Sequence, residues 1–123
     1  MESLHVSALH VVDDVKRAGA SFAALGFTRA VGDSPDCVGW LSTNGSSVIL
    51  VSRTRAQRDY GWDAAHRMRH GGVPYIHVKG IEAALRVLPT KSRLLGREHR
   101  QDNLRELVVE TETGPVVLAE TAR

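Results

Sequence analysis

The sequence predicts one α+β domain built from two βαβββ repeats. The order strand, helix and three strands occurs twice along the chain, and the two copies align at matching positions. Val12 corresponds to Val78 and Gly45 to Gly114, which are offsets of 66 and 69 residues. Each copy is roughly 50 residues long, too few to bury a stable core alone, so the two copies are expected to share one core.

Residues 1–123 are predicted to form a single domain with three parts. Repeat 1 covers 3–53, a linker covers 54–72, and repeat 2 covers 73–121. The linker is polar and rich in arginine, and its 56–70 portion is expected to be helical. We expect the linker to lie outside the core that the two repeats share.

Repeat 1 opens with a strand followed by a helix. The strand is predicted at 4–12, where β-branched residues are frequent. Asp13 and Asp14 follow as residues that favour a helix start. Spacings of 3, 4 and 3 then place four apolar residues on one helix face: Val15, Ala18, Phe22 and Leu25. Gly26 stands where a helix commonly ends.

Three short strands complete repeat 1. They are predicted at 27–31, 37–43 and 47–52, separated by a loop rich in turn residues and by a tight turn. The tight turn is Asn44-Gly45, the dipeptide most typical of a two-residue hairpin. The second and third of these strands are therefore expected to pair as a hairpin.

Repeat 2 follows the same order. Its first strand is predicted at 73–79, and its helix has an apolar face made of Ile81, Ala84, Leu85 and Leu88. Pro89 ends that helix, because the residue before a proline is disfavoured in helical conformation. The remaining strands are predicted at 91–97, 104–112 and 115–120.

Composition and charge exclude several classes of protein. The net charge is only +2, and no stacking motif of alternating aromatic and basic residues joins the basic stretches 53–70 and 91–100, so nucleic-acid binding is not expected. No apolar run approaches the roughly 20 residues that cross a membrane. Cys37 is the one cysteine, which excludes an internal disulfide and a cysteine-rich zinc site. The first residues lack the pattern of a signal peptide, so a cytoplasmic location is expected.

The stretch 12–27, which contains the sequences VDDV and LGF, resembles the vicinal oxygen chelate superfamily. That superfamily includes glyoxalase I, extradiol dioxygenases, fosfomycin-modifying enzymes and bleomycin-resistance proteins. Three departures occur: Ser21 replaces one of the usual aromatic pair, Gly80 stands at the usual aspartate, and a longer turn is reduced to 113–115. The resemblance implies an open, cup-shaped mixed sheet with helices on the outside. A second subunit often completes the cup, so a homodimer is expected.

Enzymes of this superfamily hold a divalent metal with side chains from the first and last strands of each repeat. The positions that correspond here are Ser7, Val73, the neighbourhood of Ile49–Leu50, and Leu118. None is a strong metal ligand, so we predict no metal and no cofactor. A register shift of one or two residues would bring three other residues into consideration: His5, His77 and Glu120.

Titratable side chains on the predicted strands receive less specific interpretations. The sequence alone leaves open whether His5, His10 or His77 faces the cup, because a shift of one residue turns a strand over. Alternation places Glu106, Glu110 and Glu112 on one face of their strand. That face is expected to be solvated or paired with nearby arginines.

The candidate ligand-binding residues are three aromatic residues and two polar ones. Trp40, Tyr60 and Trp62 are predicted to form apolar or stacking walls, because a large aromatic in a polar segment often anchors a ligand. Arg58 and His77 are predicted to orient a polar or anionic group. No catalytic residue is predicted.

The resemblance is closest to the metal-free, antibiotic-binding members. It implies a non-catalytic protein that sequesters a small molecule in a dimer groove. The basic linker favours a planar, neutral or anionic natural product as ligand. The alternative is a metal-dependent lyase, transferase or dioxygenase of the same superfamily, and a structural or regulatory protein is a third possibility.

Overall fold

The computed structural model describes residues 5–30, 34–69, 71–88 and 93–121. The predicted α+β class is confirmed. The elements are β1 (His5–Val12), α1 (Val15–Ala24), β2 (Thr28–Arg29), β3 (Cys37–Leu41), β4 (Ser47–Ser52), α2 (Arg53–Tyr60), α3 (Trp62–Arg67), β5 (Val73–His77), α4 (Ile81–Val87), β6 (Arg93–Gln101), β7 (Leu104–Thr111) and β8 (Gly114–Thr121). Some predicted element ends lie outside the described residues: Leu4, Val31, His70, Pro89 and Lys91.

The strands form one open, mixed sheet in the order β2-β3-β4-β1-β5-β8-β7-β6. β1 runs parallel to β4, and β5 runs parallel to β8, so the two repeats have the same internal topology. β1 and β5 are antiparallel neighbours and join the repeats within one chain. No second subunit is needed for that junction, and the homodimer stays a prediction.

The outer face of the sheet is covered by one helix from each repeat. α1 packs through Val15 against Val38 and Leu50. α4 packs through Ile81 against an outward-facing set that includes Leu107, Val109 and Leu118. The prediction that helices lie on the outside is therefore confirmed for α1 and α4.

The linker helices occupy the inner, concave face instead. α2 and α3 contribute the buried residues Ala56, Tyr60, Ala64, Ala65 and Met68, which pack in one core cluster with side chains of β1, β4, β5, β7 and β8. The expectation that the linker lies outside the shared core was wrong. Its small and apolar residues recur at helical spacing and form a continuous face that can be buried only against the sheet.

Each outer helix begins with a different cap. Asp14 accepts a hydrogen bond from the backbone N–H of Arg17 at 3.0 Å, as the prediction of a helix start at this point requires. α4 follows Gly80, which has no side chain for this purpose. Glu120 of β8 replaces the missing aspartate, because its Oε1 accepts from the backbone N–H of Ile81 at 2.7 Å.

Replacing Glu120 with alanine is expected to lower the free energy of unfolding by about 1 kcal/mol, the usual cost of losing a helix cap. Glu120→Gln keeps an acceptor for Ile81 and is expected to cost less. Denaturant unfolding measures both, and Glu112→Ala, in the exposed turn after β7, is the control. Equal losses for the glutamine and alanine variants would assign the effect to the lost ion pair with Arg105 instead of the cap.

β6 differs most from its predicted extent. It spans Arg93–Gln101, and its pairing with β7 shifts register between Leu95 and His99. Gly96 lies in this irregularity with a φ of 68°, a conformation that glycine adopts without strain. Leu95 and His99, which are four residues apart, both lie on the concave side. None of the helices in the described ranges has the length and apolar character needed to cross a membrane.

Candidate functional site

The concave side of the sheet retains a cavity of about 140 Å³ beside α2, which we call the cup cavity. Its apolar walls include Leu9, Ile49, Val51 and Leu104. Its polar lining includes Arg55, Asp59, Tyr60, Tyr75, His99 and Glu106. Gln101 is exposed and also lines the cavity, so the cavity reaches the surface at that point.

Strand pairing brings the polar residues together. Side chains two residues apart share a face, so Glu106 points to the same side of β7 as the fully buried Val108. Glu106 lies opposite His99 of β6 on one side and Ala119 of β8 on the other. Tyr75 reaches the same carboxyl from β5, and Tyr60 reaches it from the end of α2.

Glu106 is the central group of the site and is only 6% exposed. Tyr60 donates a hydrogen bond to its Oε1 at 3.2 Å, and Tyr75 donates one to its Oε2. Burial raises the pKa of Glu106. The hydrogen bond from Tyr75, the nearby His99 and the hydrogen bond from Tyr60 act in the opposite direction but do not cancel this effect. Burial, with the adjacent Glu106 carboxyl, also raises the pKa of both tyrosines.

His99 lies between two carboxyl groups. Its Nε2 is 3.7 Å from Asp59 Oδ2 and 4.0 Å from Glu106 Oε1. The ring of Tyr60 meets the imidazole edge to face, with centroids 6.1 Å apart. Both distances are too long for a direct hydrogen bond, so the imidazole can donate instead to a ligand that enters between the carboxylates.

Arg55 connects this group to the rim. Its Nε donates to Asp59 at 3.2 Å, and its Nη1 donates to Asp36 at 2.8 Å. Burial opposes the charge on Arg55, but the hydrogen bonds to Asp36 and Asp59 outweigh it and raise its pKa. The hydrogen bonds from Arg55 and then Ser34 lower the pKa of Asp36. Arg58 also pairs with Asp59, so two guanidinium groups pair with the two aspartates, and Glu106 is left as an additional acidic group in the cavity.

Two solved structures share this architecture. One is described as an NAD-dependent benzaldehyde dehydrogenase from Legionella pneumophila; the match covers 96% of this chain and 100% of that chain, with a TM-score of 0.71 and 12% identity. The other is a glyoxalase/bleomycin resistance protein/dioxygenase superfamily member from Vibrio splendidus 12B01; the match covers 96% and 99%, with a TM-score of 0.65 and 17% identity. This chain has the glyoxalase-like fold.

At these identities the likeness shows the fold alone. No protein-family model matches the sequence, and no curated protein matches it significantly. The two similar structures carry different descriptions, so the glyoxalase-like fold does not select an activity. The function has to be argued from the residues of the site.

The glyoxalase-like fold places the predicted ligand-binding residues on different surfaces. Trp40 lies on the outer face beneath α1, whereas Tyr60 is buried in the cup and lines its cavity. Trp62 is 67% exposed at the start of α3. Arg58 is largely exposed and pairs with Asp59 at 3.2 Å. His77 lies on the concave side next to Tyr75, with ring centroids 5.4 Å apart. The five do not converge on one surface of the chain, and their roles stay predictions.

Sequence reasoning missed most of the cup residues. Glu106 was expected on a solvated or arginine-paired face, which was wrong, because that face lies against α2 and the two tyrosines. Glu110, on the same face, does pair with Arg67 of α3. The available signal was the alternation of Glu106 with Val108, because a glutamate two residues from a core valine shares its buried face.

The histidine positions left open by the sequence are decided by strand register. His5 and His77 lie on the concave side, with ring centroids 5.7 Å apart. Burial lowers the pKa of His77, and the neighbouring His5 lowers it further. His10 points to the opposite side of β1 from Leu9, which lies in the concave core. His5 also approaches Ser7, whose hydroxyl contacts Ser47.

The metal-ligand positions of the superfamily do not fit a metal in this chain. Ser7, Ile49 and Val73 face the cup, but Leu118 faces α4, and Glu120 caps that helix. Among residues 5–30, 34–69, 71–88 and 93–121, no three His, Cys, Asp or Glu side chains are placed to hold an ion together. We therefore derive no step through a metal.

Proposed function

We propose that this protein binds a small organic molecule in the cup cavity without bond chemistry. The ligand carries a hydroxyl or amine that donates to Glu106 or Asp59. The observation that carries the proposal is the buried Glu106 carboxyl, held by two tyrosine hydroxyls beside His99 at the wall of a cavity. Buried titratable groups that converge on a concave site are typical of ligand-binding and active sites.

The size of the cavity limits the ligand. A volume of about 140 Å³ is close to the roughly 150 Å³ that accepts benzene and below the roughly 300 Å³ of drug-sized pockets. The proposed ligand is therefore a single-ring molecule or one of similar size. Sequestration of a larger planar natural product, as in antibiotic resistance, would need surfaces outside the cup, because Trp40 and Trp62 lie on other faces.

The charge of the cavity favours a neutral or cationic ligand. Four arginines of the basic stretch 53–70, from which a neutral or anionic ligand was predicted, pair with carboxylates. These pairs are Arg53 with Asp13, Arg55 with Asp36 and Asp59, Arg58 with Asp59, and Arg67 with Glu110. The linker therefore does not make the cup basic, and the acidic surplus around Glu106 selects a hydrogen-bond donor.

The alternative is a metal-dependent lyase, transferase or dioxygenase. The cup-facing residues at the superfamily's ligand positions give it little support. Ser7 supplies a single hydroxyl, whereas Ile49 and Val73 supply no ligand atom. Binding without a metal is therefore the function that this site supports best.

The proposal predicts a preference among three single-ring probes at neutral pH. Benzylamine and benzyl alcohol are expected to bind, and benzoate is expected to bind at least about tenfold more weakly, because a charged hydrogen bond is worth about 1.5–3 kcal/mol. Titrations followed by NMR chemical shifts measure the affinities. Glu106→Gln is expected to remove most of the preference for the amine.

Trp62→Ala is the matched control, since this exposed side chain lies outside the cavity lining. Its affinities should equal those of the unaltered protein. Benzoate binding as tightly as benzylamine, or no binding by any of the three probes, would refute the cup proposal. If Trp62→Ala lost affinity and Glu106→Gln did not, the ligand would bind at the aromatic surface predicted from the sequence and not in the cup cavity.

A further inference from the structure

A second cavity lies on the outer face of the sheet, between α1 and β3. We call it the outer groove; its volume is about 390 Å³, within the range of ligand pockets. The residues that matter for its chemistry are Val15, Lys16, Ala20, Arg29, Val38 and Trp40. It is separated from the cup cavity by the sheet itself, because Val38 and Trp40 face α1 and their neighbour Cys37 faces the cup.

Small residues on α1 open this groove. A Cβ on Gly19 would lie 2.8 Å from the Trp40 ring, so the indole packs directly against the helix backbone. Ala20, the next residue, is exposed at the groove. The indole Nε1 of Trp40 is buried and has no hydrogen-bond partner in the part of the chain that the structure describes. Because this N–H is sealed against α1, a ligand in the groove would contact the ring of Trp40 and not its N–H.

The charged side chains in the described lining of the groove are Lys16 and Arg29, and both are cationic. Arg29 already makes an interaction within the chain, so Lys16 is the cation that a ligand can use. The remaining lining is apolar or aromatic, through Val15, Val38 and Trp40. An apolar wall with Lys16 at its edge is complementary to an amphipathic anion.

We propose that the outer groove binds a small organic anion with an aromatic body. Its carboxylate pairs with Lys16, and its ring lies against Val38 and Trp40. This site is independent of the proposed cup ligand, since the two cavities lie on opposite faces of the sheet and carry opposite charge.

The test uses Trp62→Phe protein, in which Trp40 is the only tryptophan and gives a single indole N–H signal by NMR. 2-Naphthoate is the probe, and 2-naphthylmethylamine is its cationic counterpart. Naphthoate is expected to shift the Trp40 signal in a saturable way, with at least about tenfold higher affinity than the amine. Ala20→Leu, which fills the groove, is expected to abolish the saturable shift.

Charge variants on one helix provide the matched control. Lys16→Glu is expected to weaken naphthoate binding at least about tenfold, because it places a repelling charge in the lining. Arg17→Glu makes the same change in net charge outside the lining and should alter the affinity less than about twofold. An unmoved Trp40 signal, or equal losses in the two variants, would overturn the proposal. Glu106→Gln should leave naphthoate binding unchanged, which separates this site from the cup.

Discussion

Glu106→Leu is expected to lower the free energy of unfolding by about 2–4 kcal/mol, because each unsatisfied buried hydroxyl costs about 1–3 kcal/mol. The hydroxyls of Tyr60 and Tyr75 both donate to this carboxyl, and both side chains are buried. Leucine fills similar space but accepts no hydrogen bond. Denaturant unfolding at neutral pH measures the loss.

A triple variant identifies the cause. Glu106→Leu combined with Tyr60→Phe and Tyr75→Phe removes donors and acceptor together, and it should recover most of the lost stability. Glu112→Leu, in an exposed turn, is the control for the loss of one negative charge. A triple variant no more stable than Glu106→Leu would show that the unsatisfied hydroxyls are not the cause.

The same carboxyl predicts a pH profile. The pKa of Glu106 is raised in the folded protein, so above the ordinary carboxyl pKa of about 4.3 the unfolded chain binds fewer protons than the folded one. Its contribution to stability therefore declines as pH rises toward the raised pKa. Glu106→Gln lacks this ionisable group, so its free energy of unfolding relative to that of the unaltered protein should increase as pH rises. Four groups face the carboxyl and shape the profile: Tyr60, Tyr75, His99 and Asp59.

Gly96→Ala is expected to lower the free energy of unfolding by about 2–5 kcal/mol, the sum of overpacking and left-handed backbone costs. Gly96 has a φ of 68°, and a Cβ there would lie well under 3.0 Å from the carbonyl oxygen of Tyr60. The neighbouring Arg97 donates to the carbonyl of Arg58 at 2.6 Å, so α2 ends tightly against β6. The fraction folded, measured by circular dichroism at low temperature, is the first readout.

Gly45→Ala is the matched control for Gly96→Ala. Gly45 also has positive φ, at 90°, but a Cβ there would meet nothing within 4 Å. Gly45→Ala should therefore lower the free energy of unfolding by about 1–2 kcal/mol, the cost of the left-handed backbone conformation alone. If the two alanine variants lose the same stability, the close approach of β6 to Tyr60 does not restrict position 96. A larger loss at Gly96 would confirm that the close approach of β6 to the backbone of Tyr60 restricts position 96.

Local patterns in the sequence determined the order of the elements. The cap at Asp14, the apolar face of α1 and the Asn44-Gly45 turn depend on residues a few positions apart. Such signals do not require knowledge of distant partners, so the repeat and the fold class could be predicted from them. The same patterns assigned the linker a helical character, because helix periodicity is also local.

Tertiary structure alone decided the site. Glu106 meets Tyr75 and Tyr60 across 31 and 46 residues of chain, and this meeting depends on strand pairing and on the side of the sheet that α2 covers. The adjacent β8 residues Leu118 and Ala119 face α4 and the cup, respectively, so a register error of one residue would exchange their environments. Periodicity gives two faces to every strand, but only packing against the rest of the chain determines which face is buried and which polar groups meet there.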